Sequence, residues 1–413
     1  MATTIPESGR PWADIESEMR RRGEGDVDWR EGKTAVYVFN AGPDVERVQK
    51  EAYTMYMSEN GLGPLAFPSL AEMESDVVSM ALGILHAPDQ GMGAMTSGGT
   101  DSITMAVKAA RDFARAQRGE RFAANLVLAR SGHPAFEKAA QLMDIEVRRA
   151  PIDETTYEAD PKAMAAATDD GTIMMVGSAP NFPHGIIDPI EELGRVAEDK
   201  NVWLHVDACV GGFIAPFVRM NGVDIPPFDF EVPAVRSMSA DLHKYGFAAK
   251  GASTVLFRSG QYYEHMPFGC DEWSGAKMVT PTLAGTRPGG AIAAAWAVMN
   301  FLGIDGYRQK HGTICATRER IEKALVSLGF EILGKPQLSL VAFRHPRYDP
   351  YALWGKLIER GWFTSITTEP PSLHLMISPF HENVVENYIE DLRAGMAALD
   401  EDDSGPVPEA RYN

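Results

Sequence analysis

The sequence predicts an α/β fold, a mostly parallel sheet flanked by helices, with a smaller C-terminal α+β domain behind it. Three observations predict it. Through the middle of the chain, short apolar runs of strand length alternate with segments of helical pattern. A long Ala-rich helix after Gly290 then leads into a second region with a different order of elements. And 413 residues, 45% of them hydrophobic, suffice to bury a large core.

Taken in order, Ile103–Phe113 reads as a helix. Asn125–Ala129, Ile145–Arg148, Thr172–Val176, Val202–Val206 and Ser253–Phe257 read as short buried strands, with helices over Pro134–Met143 and Pro189–Lys200 between them. Such alternation gives parallel strands covered on both faces, and ligands then bind at the carboxyl ends of the strands. Asp207 sits at such an end. From Asp305 to Asp400 the order is helix, strand pair, helix, strand, helix. The chain therefore divides into an N-terminal segment over 1–75, a large domain over 76–300 and a small domain over 301–413. Disorder is expected only in the first residues and in the tail after Asp400, where acidic residues, Ser, Gly and Pro cluster.

Composition excludes several classes. A formal charge of −18 argues against nucleic acid or an anionic membrane as partner, because both reward basic patches. An anionic substrate would need a locally basic pocket against that background. The longest apolar stretch, Ala291–Met299, is too short to span a bilayer, and no basic region followed by an apolar core opens the chain. Cys209, Cys270 and Cys315 lack metal-ligand spacing and read as reduced thiols, so a soluble cytoplasmic protein without a metal is expected.

The chemistry is carried by three runs. Ser239-Ala240-Asp241-Leu242-His243-Lys244 ends a polar turn in a lysine, downstream of the acidic run His205-Val206-Asp207-Ala208. A lysine forms a Schiff base with an aldehyde cofactor, and an aspartate keeps a pyridine nitrogen protonated so that the ring becomes an electron sink. Upstream of both lies Thr96-Ser97-Gly98-Gly99-Thr100-Asp101-Ser102. Its small residues let backbone amides approach an anion at the start of a helix whose dipole favours negative charge. A Ser/Gly/Thr cluster alone is more often a turn and N-cap, a role that remains open for Ser97. Cradle, acid and lysine together point to pyridoxal 5'-phosphate.

The segments GAMTSGGTDSITMAVKAARD, HPAFEKAAQLM, NFPHGIIDPI, HVDACVGGFIAPF, PFDF, SADLHKYGFAAKGAS and AGTRPGG follow one another between Gly93 and Gly290. In this order they resemble the sphingosine-1-phosphate lyase family, among the decarboxylase-like, fold-type I pyridoxal-phosphate enzymes, and within it a soluble, bacterial-type member. The resemblance implies a carbon–carbon lyase. It would cleave a phosphorylated sphingoid base or similar 2-amino-3-hydroxy substrate, a small amphiphilic or amino-acid-like molecule, into an aldehyde and phosphoethanolamine. It also implies roles. Lys244 would be the Schiff-base lysine, Asp207 the partner of the ring nitrogen, and His133 the ring that stacks on the cofactor. Gly98, Gly99 and Thr100, with His243 and Ser239, would hold the cofactor phosphate. Lys250, a turn away from Lys244, would bring a second ammonium for the substrate phosphate or for proton transfer. Tyr37, a catalytic and substrate-phosphate residue, would approach from a partner subunit, Thr286 would cross the interface in the Thr-Arg-Pro-Gly-Gly loop, and the N-terminal segment would join them in a homodimer with shared active sites.

One departure stands out. Before Phe67-Pro68, the better-known lyases carry Asn and then a His-Pro pair, polar groups that help bind the substrate phosphate. Here Asn60 is kept and Gly63 falls where the histidine would be. Losing one charge-assisted donor costs roughly 1.5–3 kcal/mol, which weakens a phosphate site without abolishing it. Two other readings share the same motifs: a pyridoxal-phosphate-dependent L-amino-acid decarboxylase, in which the carboxylate bond is the one that breaks, and a cofactor-binding protein without turnover.

Overall fold

The computed structural model describes residues 4–119 and 122–401. The expected disorder at the extreme termini falls largely on residues 1–3 and 402–413, outside the described residues.

Seven strands form the main sheet: β1 (Met92–Thr96), β2 (Asn125–Ala129), β3 (Glu146–Ala150), β4 (Thr172–Ser178), β5 (Trp203–Asp207), β6 (Val235–Ala240) and β7 (Ser253–Phe257). Their spatial order is β1-β7-β6-β5-β4-β2-β3. The ladders from β3 to β6 are parallel, and β7 alone runs against its neighbours. The fully buried strands β2, β4, β5 and β7 are the apolar runs visible in the sequence. Missed were β1 and β6, whose Thr96, Ser237 and Ser239 satisfy their hydroxyls inside the protein. Also unforeseen is the small hairpin of β8 (Phe268–Cys270) and β9 (Met278–Thr280).

The chain is helical from Gly289 to Ser327, broken at Gly303, where φ is 57°. Beyond it lies an antiparallel sheet ordered β10-β11-β13-β12, built from Glu331–Ile332, Leu340–Arg344, Pro371–Met376 and Ser365–Thr368 respectively. The expected order is corrected in one respect: the single strand after helix Pro350–Ile358 is a hairpin, β12 and β13. One apolar core runs from the main sheet into this one, joining Val206, Met238 and Leu242 to Leu340, Phe343 and Leu375. Residues 33–36 are tied to the smaller sheet: Phe363 N–H donates to Lys33 O at 2.8 Å, Ala35 N–H to Phe363 O at 3.0 Å and Met376 N–H to Ala35 O at 2.7 Å. The next residues are thereby carried to the carboxyl ends of β4 and β5.

Candidate active site

A cavity of about 610 Å³ opens at those strand ends and brings together Lys244, Asp207, His133, Lys250 and the Gly98–Thr100 turn. Each reaches it for a local reason. Helix Gly99–Arg118 begins at Gly98, which offers no side-chain cap, so its first amides face the cavity without an internal acceptor. Side chains are excluded there: a Cβ on Gly99 would stand 2.8 Å from both Asp241 Oδ2 and Cys209 Sγ. Ser97 helps shape the turn, since its N–H and hydroxyl both donate to Asp101 Oδ2, at 2.9 and 3.0 Å. His243 stands beside the cradle, its Cε1 3.4 Å from where a Gly98 Cβ would be. Its Nδ1 accepts from Ala252 N–H at 3.3 Å, leaving the proton on Nε2. Burial lowers its pKa to about 4, so the ring is a neutral donor.

Asp207 ends β5 between Ser178 of β4 and Ser239 of β6. Its Oδ1 accepts from Cys209 N–H at 3.1 Å and from the Ser239 hydroxyl at 3.2 Å. Behind Ser239 a chain of donors points one way. Trp203 Nε1–H donates to Ser237 Oγ at 2.7 Å, and Ser237 lies 2.8 Å from His205 Nδ1. His205 Nε2 lies 3.3 Å from Ser239 Oγ. Burial lowers the His205 pKa to about 4, so one nitrogen accepts while the other donates, and the series ends on the carboxylate. Ser239 is thus corrected: wholly buried on β6, it supports Asp207 and is not available to a phosphate.

Lys244 Nζ lies 3.0 Å from Asp241 Oδ2. Burial acts against its charge, but Asp241 outweighs it and raises the pKa above the usual ammonium value. The turn that carries Lys244 is anchored by the Tyr245 hydroxyl on Ile377 O at 3.0 Å and by the Tyr307 hydroxyl on Gly246 O at 2.8 Å. Lys250 Nζ donates to Tyr37 O at 2.9 Å and sits 4.7 Å from the centre of the Phe39 ring. Burial of its ammonium, then repulsion from Lys244, brings its pKa down to about 8. His133 Nδ1 accepts from Ala135 N–H at 3.1 Å, and burial lowers its pKa, keeping the ring neutral. With Phe182 it forms the wall between this cavity and a second one of about 420 Å³.

Tyr37 requires a further correction. It lines the cavity of its own chain, placed there by the pairing of residues 33–36 with the smaller sheet, and needs no partner to reach it. Asn60 and Thr286 behave otherwise. They are not among the described residues that line this cavity. Asn60 pairs with Pro288 in an antiparallel bridge and accepts from Leu62 N–H at 3.0 Å, and Thr286 is exposed. Gly63 has room for a side chain, its nearest neighbour being Ala66 Cβ at 3.7 Å. Asp241, His205 and Cys209 carry no site role in the sequence reading, although Asp241 stands three residues before Lys244 in the same run.

The residues fit pyridoxal 5'-phosphate: a side-chain-free helix start for the phosphate, a carboxylate with fixed donors for the ring nitrogen, a flat neutral histidine for the ring face, and an amine within the same cavity. Comparison with known proteins agrees. The pyridoxal-dependent decarboxylase conserved domain matches residues 1–346. The chain is 40% identical over 395 residues to the sphingosine-1-phosphate lyase of Oryza sativa, covering 94% of this chain and 72% of that protein. It is 35% identical to the structure of the sphingosine-1-phosphate lyase of Burkholderia pseudomallei K96243, with a TM-score of 0.91 and coverage of 96% and 93%. A probable L-tyrosine/L-aspartate decarboxylase of Methanothermobacter thermautotrophicus is 33% identical over 341 residues, 83% of this chain and 91% of that one. With cradle, acid and lysine assembled in one cavity and identity sustained along nearly the whole chain, the protein belongs to the sphingosine-1-phosphate lyase family of pyridoxal-phosphate-dependent enzymes.

Proposed function

We propose that this lyase cleaves the Cα–Cβ bond of a phosphorylated sphingoid base, or a similar 2-amino-3-hydroxy substrate, to an aldehyde and phosphoethanolamine. The observation that carries the reading is Lys250: a second ammonium, in a chain of charge −18, at the cavity that also holds Lys244 and Asp207. A substrate that is an amine at one end of its head group and a phosphate at the other needs two such points.

When bound, pyridoxal 5'-phosphate supplies an aldehyde that captures the substrate amine and a ring that takes up the electron pair of the broken bond. The protein's part is positioning and charge. Gly98, Gly99, Thr100 and His243 hold the cofactor phosphate with neutral donors and a helix start. Asp207 keeps the ring nitrogen protonated, and His133 covers the ring face. Lys250 and Tyr37 receive the substrate phosphate. The proton leaving the 3-hydroxyl and the proton returning to Cα pass through Lys244, once its nitrogen is free, or through Lys250, whose pKa of about 8 lets it exchange near neutrality.

The proposal extends to assembly as a cytoplasmic homodimer, divided within each chain near residues 75 and 300. The break at Gly303 supports the second boundary. Asn60 and Thr286, standing off their own cavity, are the residues proposed to reach the partner's site. Exposed Leu62, Leu65, Phe268, Trp273 and Leu283 favour a covered face in that region. Three free cysteines support a reducing compartment.

Incubation with a phosphorylated sphingoid base and with a panel of amino acids, followed by mass spectrometry of the products, tests the reading. A fatty aldehyde with phosphoethanolamine is expected. Carbon dioxide from an amino acid, with no aldehyde, would replace the lyase reading by the decarboxylase one.

A further inference from the structure

We propose that Asp241 is the counter-ion of the Lys244 nitrogen, holding a proton on it both as the free ammonium and after that nitrogen has joined the cofactor. The pair is built for it. Asp241 is 2% exposed, lines the cavity, and lies 3.0 Å from Lys244 Nζ. It is fixed from both ends, its N–H donating to Cys209 O at 3.3 Å and its carbonyl accepting from Lys244 N–H at 3.3 Å. The groups around the pair are few. Asp207 adds a second negative charge near Lys244, Lys250 opposes it, and His133 and His243 are neutral. Cys209, buried beside both carboxylates at the cavity wall, stays a thiol. Burial opposes charge on Asp241 as well, yet Lys244 holds it below the usual carboxylate range.

The pairing gives Asp241 work during cofactor loading. Lys244 enters as an ammonium with three protons. One passes to Asp241, which frees the nitrogen lone pair to form the C–N bond with the aldehyde carbon. A second passes from nitrogen to the aldehyde oxygen. Asp241 returns its proton to that oxygen, which leaves as water. Two protons depart in the water, one stays on the now doubly bonded nitrogen, and Asp241 ends as the carboxylate beside it. Asp241 thereby differs from Asp207, which acts on the ring nitrogen. The inference rests on the cofactor and not on the identity of the substrate, so failure of either leaves the other standing.

The test is a spectroscopic titration of the holoenzyme, without substrate. Protonated and unprotonated forms of the lysine–cofactor linkage absorb at different wavelengths, and a carboxylate 3.0 Å away favours the protonated one. Asp241→Asn, nearly isosteric, should lower the midpoint by about one pH unit or more, a change of about tenfold or more in the ratio of the two forms at fixed pH. A second measurement needs no cofactor: reductive methylation of Lys244 by formaldehyde and cyanoborohydride, mapped by mass spectrometry. Near neutral pH, D241N should react about tenfold faster or more, because more of its Lys244 is the free amine. Should D241N fail to fold, Asp241→Ser is read the same way. An unmoved midpoint together with an unchanged methylation rate overturns the proposal.

Discussion

Lys250 Nζ donates to the main-chain carbonyl of Tyr37 at 2.9 Å, within one chain. With the bond from the Gln49 amide to Phe247 O, it joins the N-terminal segment to the turn that carries Lys244, across about two hundred positions of sequence. Tyr37 has φ of 62°, an uncommon conformation for a non-glycine residue, so its carbonyl is aimed by a backbone that the rest of the fold must hold in place. The lysine's ammonium has two carbonyls, those of Tyr37 and His243, and an aromatic face for partners but no carboxylate at hydrogen-bond distance among the described residues.

The pH dependence of substrate binding follows. With a pKa of about 8, Lys250 is an ammonium below that pH and a neutral amine above it. If it holds the substrate phosphate, KM for the phosphorylated substrate should rise as pH climbs through 8. Lys250→Arg, which cannot lose its charge, should flatten that rise, and Lys250→Met should raise KM by about ten- to a hundredfold at pH 7, the worth of one charge-assisted bond. A KM–pH profile for the three proteins checks this. Equal slopes for wild type and Lys250→Arg would remove Lys250 from the phosphate site.

The cradle can be tested without touching a charge. Gly99→Ala puts a methyl group where Asp241 and Cys209 already stand at 2.8 Å, and neither sits at the end of a long flexible side chain. The helix start must shift, and the phosphate amides with it. The expected result is a folded protein with cofactor affinity weakened by about tenfold or more, read from equilibrium dialysis; a displacement costing about 1.4 kcal/mol suffices. Unchanged affinity would mean that the phosphate lies elsewhere.

Much of this site is written locally in the chain, and part of it is not. Lys244, Asp207 and the glycine turn are recognisable because residue type alone carries their chemistry, and β5 announces Asp207 by ending there. Ser239 looks like one more small polar residue near a phosphate; only the parallel pairing of β5 with β6 sets it opposite Asp207. His205 is hidden for the same reason, since a wholly buried, mostly apolar strand gives no sign that the histidine in its middle links two serines on a neighbour. Tyr37 depends on a pairing between residues 33–36 and Phe363, a contact made across most of the chain. In the smaller domain, β12 and β13 are separated only by Glu369 and Pro370, too short a turn to break the apolar run into two visible strands.

Asp207 carries the electron-sink argument. Converting it to Asn removes the anion but leaves the volume and one acceptor for the Ser239 hydroxyl. Cofactor should stay bound through its phosphate, while turnover falls by on the order of two powers of ten or more, about 3 kcal/mol of barrier. Ser239→Ala, which deletes one donor to the carboxylate, should cost less, about tenfold. Absorbance for occupancy and single-turnover rates for chemistry separate binding from catalysis. A near wild-type rate for Asp207→Asn at full occupancy would send the role to another acid.

The last expectation concerns which residues act within a chain and which act across a dimer. Tyr37 lines the same cavity as Lys244 of its own chain, whereas Asn60 and Thr286 do not. Consider mixed dimers that contain one Lys244→Ala chain. That chain's own site is dead whatever its partner supplies. If the second chain carries Tyr37→Phe, its site keeps Lys244 but lacks the Tyr37 hydroxyl, so no intact site exists and mixing should restore nothing. If the second chain instead carries Asn60→Ala with Thr286→Ala, its site receives Asn60 and Thr286 from the Lys244→Ala chain and is complete. Each mixed dimer should then regain one working site, about half the activity of a wild-type dimer, because the two sites are equivalent under the two-fold symmetry of such an assembly. Co-expression with two affinity tags isolates the mixed species, and turnover per dimer distinguishes the cases. Restoration by the Tyr37→Phe pairing would place that tyrosine across the interface after all, and absence of restoration by the other pairing would remove Asn60 and Thr286 from the partner's site.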